Sequence, residues 1–296
     1  MTSRLSGCGT ALVTPFSSRG AVDTGALARL VAWQIDEGID FLVPCGSTGE
    51  AATMDLEEHV RVVTHTAEVA AGRVPIVAGA GSNDTRKAVH LSQELRTSGA
   101  THVLHVTPMY NKPPQRGLIE HFRAIADASP LPIILYNVPG RTAINMLAET
   151  TLALAEHPNI VGVKEASGDL AQIIEILRHR PDRFSVLSGD DPLTLAVVAH
   201  GGDGVISVIS NATPHLMREL VALARAEKMT AAREIDNRLR PWMRAAIIES
   251  NPIPVKAALG LMDRITPTLR LPLVPLAEAH ISTVVAALVA AGALKA

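Results

Sequence analysis

Two short stretches, PIILYNV (132–138) and IVGVKEA (160–166), set the reading of the fold. Each is apolar at almost every residue, whereas a strand with one wet face alternates, and continuously apolar strands are those covered on both faces in parallel sheets. Outward from this pair, the same kind of run recurs as GTALVTP (9–15), DFLVPCG (40–46), VPIVAGA (74–80) and HVLHVTP (102–108) before it. FSVLSGD (184–190) and GVISVIS (204–210) follow it. Most of these begin about 25 to 30 residues after the last, the length of one βα unit. Stretches with helical period fill the gaps, among them ALARLVAWQIDEG, LEEHVRVVTHTAEVAAG, TRKAVHLSQELRTSG and DLAQIIEILRHR. Gly38, Gly72 and Gly99 stand where helices must give way to strands, as αβ turns require. Eight such units predict an α/β fold, a closed (β/α)8 TIM barrel. The alternative is an open doubly wound sheet, which more often carries a nucleotide loop after its first strand, and GTALVTPFSSRG has no GxGxxG. The expected division is 1–212 for the barrel through its eighth strand and 213–296 for the last barrel helix and a C-terminal α-helical extension. Pro241, Pro252, Pro254 and Pro267 are expected to break that extension.

Composition narrows the function classes. The 296 residues are 47% hydrophobic but only 3% aromatic, so the core is built from Ala, Val, Leu and Ile. A net charge of −2 with interspersed signs supplies no basic field for nucleic acid. Two cysteines, Cys8 and Cys45, do not make a disulfide scaffold and fit a reducing, cytoplasmic setting. MTSRLSGCGTALVTPF lacks the apolar stretch of a secretory leader, and ISTVVAALVAAGALKA is short for a membrane span and reads as a helix packed on the body.

In a barrel, chemistry gathers where strands end at the C-terminal face. The predicted ends carry Ser47 and Thr48, Tyr110 and Asn111, Tyr136, Asn137 and Arg141, Lys164 and Glu165, then Ser188, Asp190 and Asp191. Both tyrosines of the chain fall there. Lys164 lies in an apolar strand, where an ammonium is poorly solvated and its pKa is driven down, which makes a usable amine nucleophile toward a ketone. The competing reading is a snorkelling lysine or one paired with Glu165. Tyr136 suits proton relay or, equally, a core aromatic with a satisfied hydroxyl. PCGSTGE offers two hydroxyls and several backbone N–H groups to a carboxylate, although a plain Gly-rich turn looks alike. Arg141 in NVPGRT is either a bidentate carboxylate clamp or a surface arginine at a helix start. Metal chemistry has little support: the 11 histidines are scattered, and His102 and His105 fall on opposite faces of one strand. Asp190 and Asp191, followed by Pro192, are expected to open the next helix, with Asp191 near its N-cap.

With GTALVTPF, GSTGE, TPMYNKP, YNVPGRT, VKEASGD, SGDD and GVISVISN occurring in this order, the chain resembles the dihydrodipicolinate synthase family within the N-acetylneuraminate lyase-like superfamily. The resemblance runs over nearly the whole length. It implies a class I lyase of lysine and diaminopimelate biosynthesis, in which Lys164 forms an imine with pyruvate and its enamine attacks aspartate 4-semialdehyde, with no separate cofactor and no metal. It implies that Tyr136 relays protons with Ser47, at a position more commonly threonine, and with Tyr110, lent across a dimer interface. Thr48 then matches the residue holding the pyruvate carboxylate, Arg141 the arginine binding the semialdehyde carboxylate, and Gly189 and Ile206 positions lining the site. The expected partners are the two small substrates and further copies of the chain, as a tetramer built from two dimers, with no nucleic acid and no membrane. The alternative within the superfamily is another pyruvate-dependent aldolase or lyase acting on a sugar acid or an N-acetylneuraminate-like substrate, and Arg141 favours the semialdehyde.

Two departures stand out from the family pattern. Met109 replaces an aromatic that borders a lysine effector pocket, where His59 and Asn83 match binding positions. Leu56 and Lys87 replace a histidine and an acidic residue of lysine-sensitive members. A cationic Lys87 repels a lysine ligand's amino group, so weak or absent feedback inhibition is expected.

Overall fold

The computed structural model describes residues 4–295. Residues 1–3, which begin the stretch read as lacking a leader and the expected first domain, and residue 296, which ends the run read as a packed helix and the expected extension, lie outside the described residues. Eight parallel strands are β1 (Gly7–Ala11), β2 (Phe41–Val43), β3 (Val77–Gly79), β4 (His102–Val106), β5 (Ile133–Asn137), β6 (Ile160–Glu165), β7 (Ser185–Ser188) and β8 (Gly204–Ser207). They form one sheet in the order β2-β1-β8-β7-β6-β5-β4-β3. A parallel bridge between Leu42 and Ile76 brings its two edges together. Backbone bonds from Leu42 N to Pro75 O (3.0 Å) and from Gly79 N to Pro44 O (2.9 Å) complete the closure into a (β/α)8 barrel.

The helices are α1 (Thr24–Asp36), α2 (Leu56–Ala70), α3 (Thr85–Glu94), α4 (Gln115–Ala128), α5 (Pro139–Thr142), α6 (Ala148–Ala155), α7 (Leu170–His179), α8 (Thr194–Ala199) and α9 (Pro214–Arg225). Three more, α10 (Met229–Ala245), α11 (Ile253–Leu261) and α12 (Glu278–Ala291), form the C-terminal extension. Helix starts follow their sequence signals: Asp23, Asp55, Asp84 and Asp169 each accept a backbone N–H of the first turn. Gly38, Gly72 and Gly99 adopt φ of +88°, +72° and +81°, the left-handed geometry expected where a helix turns back toward a strand.

The alternation of strand side chains divides the apolar residues into two sets. Leu104, Ile134, Tyr136, Leu187 and Ile206 pack with one another inside the barrel. Val103, Ile133, Leu135, Val163 and Val186 belong to the larger layer between strands and helices. Phe16, Phe41, Phe122 and Phe184 are fully buried, so all four phenylalanines of the chain contribute to the packed interior.

Several local expectations differ from the structure. The first strand runs from 7 to 11 rather than 9 to 15, because the chain leaves the sheet where Thr14 turns its hydroxyl to Gly49 O (2.8 Å). Pro241 does not break the extension but sits inside α10. The breaks fall at Pro252, in the segment before α11, and at Pro267, between α11 and α12, while Pro254 lies in the first turn of α11. Asp191 does open a short 3-10 turn, Asp191–Leu193, that leads into α8, but its carboxylate does not cap it: it accepts the backbone N–H groups of Val208 and Ile209, both at 3.0 Å, tying the loop after β7 to the loop after β8.

Candidate active site

Tyr136 and Lys164 are Cα partners in the parallel register of β5 and β6, and both point into the barrel. The Lys164 ammonium lies 4.3 Å from the centroid of the Tyr136 ring. Lys164 is 4% exposed, and burial drives its pKa down to about 8, with the Asp191 carboxylate pulling it partly back and Arg141 lowering it further. Desolvation pushes the Tyr136 hydroxyl up to about 12, so it stays protonated at neutral pH. Glu165, the neighbour weighed as a partner for Lys164, points the other way. Its oxygens receive Asn137 Nδ2 (3.2 and 3.1 Å), Ser167 N (2.7 Å) and Gln172 Nε2 (3.2 Å).

Ser47, Thr48, Tyr136, Arg141, Lys164 and Gly189 line one cavity of about 170 Å³ at the C-terminal ends of the strands. A wider groove of about 850 Å³ shares Ser47, Tyr136 and Arg141 with it. Gly189 is there because nothing larger fits: a Cβ at this position meets Lys164 Cγ and Cε at 2.9 Å. Thr48 is buried and Ser47 exposed, on the turn between β2 and α2. Arg141 projects from the short helix after β5 and donates to Asn251 O (3.2 Å). Lined this way, the cavity holds one poorly solvated amine, three hydroxyls and one guanidinium, a set suited to a small anionic ketone.

Two expected site residues lie elsewhere in the single chain. Ile206 is fully buried in the barrel interior and does not line the cavity. Tyr110 is 90% exposed, at φ +74°. Among the described residues, no hydrogen bond joins the hydroxyls of Ser47, Tyr110 and Tyr136. Asp190 and Asp191, expected at a strand end but given no role in the site, also line the cavity, as does Asn251, which the sequence did not single out. The SGDD motif signalled the first two, whereas Asn251 reaches the site only through tertiary folding of the C-terminal extension. Among the described residues no group of three or more metal-ligating side chains occurs.

A buried amine of depressed pKa at the mouth of a parallel barrel, faced by a protonated tyrosine and an arginine, defines a Schiff-base lyase of the TIM-barrel class. Comparison with known proteins agrees. Residues 4–291 match the Dihydrodipicolinate synthetase family, and the chain belongs to it. The 4-hydroxy-tetrahydrodipicolinate synthase of Maridesulfovibrio salexigens is 50% identical over 287 residues, covering 97% of this chain and 98% of that protein. The enzyme of the same name from Koribacter versatilis is 51% identical over 274 residues, covering 92% and 91%. Among solved structures, dihydrodipicolinate synthase from Thermotoga maritima superposes with a TM-score of 0.96 at 42% identity, covering 98% of this chain and 99% of that one. The chloride-inhibited enzyme from Acinetobacter baumannii, complexed with pyruvate, also gives 0.96, at 43% identity with the same coverage.

Proposed function

We propose that the protein condenses pyruvate with L-aspartate 4-semialdehyde to give 4-hydroxy-tetrahydrodipicolinate, with Lys164 as the covalent nucleophile. The observation that carries this is the inward pairing of Lys164 with Tyr136, in which burial leaves the amine with a pKa of about 8. The neutral amine adds to C2 of pyruvate, and the carbinolamine loses water to an iminium. The iminium withdraws electrons from the adjacent methyl carbon, which releases a proton and becomes the nucleophilic end of an enamine. That carbon attacks the aldehyde carbon of the semialdehyde, and the resulting alkoxide takes a proton to become the hydroxyl. The amino group of the adduct then adds to the imine carbon and expels Lys164, closing the ring. The iminium itself is the electron sink, so the chemistry calls for no separate cofactor.

Each neighbour supports one step. Thr48 holds the pyruvate carboxylate with its hydroxyl, and Arg141 clamps the carboxylate of the semialdehyde in the wider groove. Tyr136 donates and recovers protons at the carbinolamine, through Ser47 and through Tyr110 of the partner subunit. Gly189 leaves the lysine chain room to swing, and Ile206 backs the site from the barrel interior. The exposure of Tyr110 fits a residue that works in a neighbouring copy, within a tetramer made of two such dimers. Cys8 and Cys45 are both buried and unpaired, which suits a reducing cytoplasm. No helix among the described residues is long and apolar enough to cross a membrane.

The test is turnover of pyruvate and aspartate 4-semialdehyde, coupled to dihydrodipicolinate reductase, beside a Lys164→Ala control. Turnover lost in the control supports both the reaction and the nucleophile. Borohydride trapping of pyruvate on Lys164 without turnover moves the reading to a different aldehyde.

A further inference from the structure

The Thr48 hydroxyl can serve a carboxylate only if its proton is free to point at it, since a hydroxyl has a single proton to give. Asn251 Nδ2 donates to Thr48 Oγ1 at 2.9 Å. This occupies the oxygen as an acceptor, and among the described residues Thr48 donates to nothing. Asn251 is carried by the C-terminal extension, just before α11, and the same helix is fastened to the same turn two residues further on. Lys256 Nζ lies 2.5 Å from Glu50 Oε1 with both side chains fully buried. Lys256 also donates to Thr268 O (2.8 Å), and Glu50 Oε2 accepts Arg270 N (3.0 Å). Glu50 itself adopts a left-handed backbone, φ +56°, a conformation that costs energy for a non-glycine residue. Burying an ion pair is a poor route to stability, because desolvation offsets most of the attraction and an apolar pair of the same shape does as well. A pair in that place, on a strained residue, fixes a direction instead.

We propose that Asn251, anchored over the Ser47–Thr48 turn by the Glu50–Lys256 pair, is a positioning residue that turns the Thr48 proton toward the substrate's carboxylate. The inference rests on the reading of Thr48 as the pyruvate carboxylate holder. An amide donor at 251 leaves the hydroxyl proton outward. A carboxylate there captures that proton and repels the incoming anion as well. The two replacements Asn251→Ala and Asn251→Asp therefore separate orientation from shape, because aspartate keeps the shape and reverses the hydrogen bond. Asn251 is only half-buried, and each replacement is checked for folding by its thermal melt.

Pyruvate KM and kcat are measured for wild type, both variants and Thr48→Val with and without Asn251→Ala, alongside borohydride trapping of pyruvate. The expected result is a pyruvate KM raised about tenfold in Asn251→Ala and further in Asn251→Asp, with kcat within about threefold of wild type. In the Thr48→Val background, Asn251→Ala adds nothing. A wild-type KM in Asn251→Asp, or full additivity with Thr48→Val, overturns the inference while trapping on the wild type leaves the function intact. A wild-type protein that pyruvate and borohydride do not label overturns the functional reading, and the inference falls with it.

Discussion

The rate at which pyruvate becomes trapped on Lys164 is expected to follow the deprotonation of that one amine. With a pKa of about 8, set by burial, about one molecule in ten carries the neutral amine at pH 7. A solvated lysine near pKa 10.4 offers about one in 2,500, so burial raises the reactive fraction by about 250-fold. Below the break, the trapping rate should rise about tenfold for each pH unit, pass half its maximum near pH 8, and level off above it. The assay is cyanoborohydride capture read by intact-protein mass, over pH 6 to 10 in outline, with pyruvate kept well below saturation so that the free enzyme is titrated. Asp191→Asn supplies the internal control. The Asp191 carboxylate raises the Lys164 pKa, so its removal moves the break to lower pH and speeds trapping on the acid side. A rate still climbing tenfold per unit to pH 10 would refute the argument, as would a break that Asp191→Asn moves upward.

Gly189→Ala should slow trapping at least about tenfold without unfolding the barrel, because the new Cβ meets the lysine chain at 2.9 Å; trapping at the wild-type rate would show that the lysine has another path. Tyr136→Phe should lower kcat by about 10²- to 10⁴-fold while pyruvate still binds, and a loss confined to KM would remove Tyr136 from proton transfer. His105 and His121 are held neutral by burial, with pKa values of about 3 and about 4. Both lie below the unfolded value, so the stability they permit is complete above about pH 6.5 and is lost as pH falls toward the folded values. For His105 the loss at pH 5 is about 2 kcal/mol, read as a fall in Tm between pH 7.5 and 5, and a flat profile would contradict it. Leu56, His59, Lys87 and Met109 all line the wider groove, and the Lys87 cation there opposes a second ammonium, so saturating lysine should leave activity unchanged; strong inhibition would sink this expectation.

The barrel was legible because its signal is periodic and repeated. β5 and β6 are apolar on both faces up to their C-terminal ends, as doubly covered strands are, and the glycines at 38, 72 and 99 mark returns to the sheet. Lys164 stood out as an ionisable group in an apolar strand, and the cavity gathers it with Tyr136, Ser47, Thr48, Arg141 and Gly189. What stayed hidden depends on distance in sequence. Asn251 reads as a residue before proline and nothing more, until the extension brings it to Thr48 across 203 positions. Asp191 beside Pro192 carries the local pattern of a helix start and does open a short turn, but nothing local shows that its carboxylate bonds to the backbone N–H groups of Val208 and Ile209. Pro241 reads as a breaker because intrinsic propensity is local, whereas α10 is held by packing against α9 and α12.

The opposed faces of Lys164 and Glu165 turn the strand into electrical insulation. A carboxylate on the same face would pair with the amine and restore its proton, and the alternation of the strand keeps Glu165 on the other side of the sheet wall. The acid is spent on the outer network with Asn137 and Gln172. A one-residue slip of β6 against its neighbours would put the acid inside and the amine out among the helices. Reactivity here is therefore a property of strand register, and Gln172 on α7, which never meets substrate, helps guard it by keeping the carboxylate engaged on the far side of the wall.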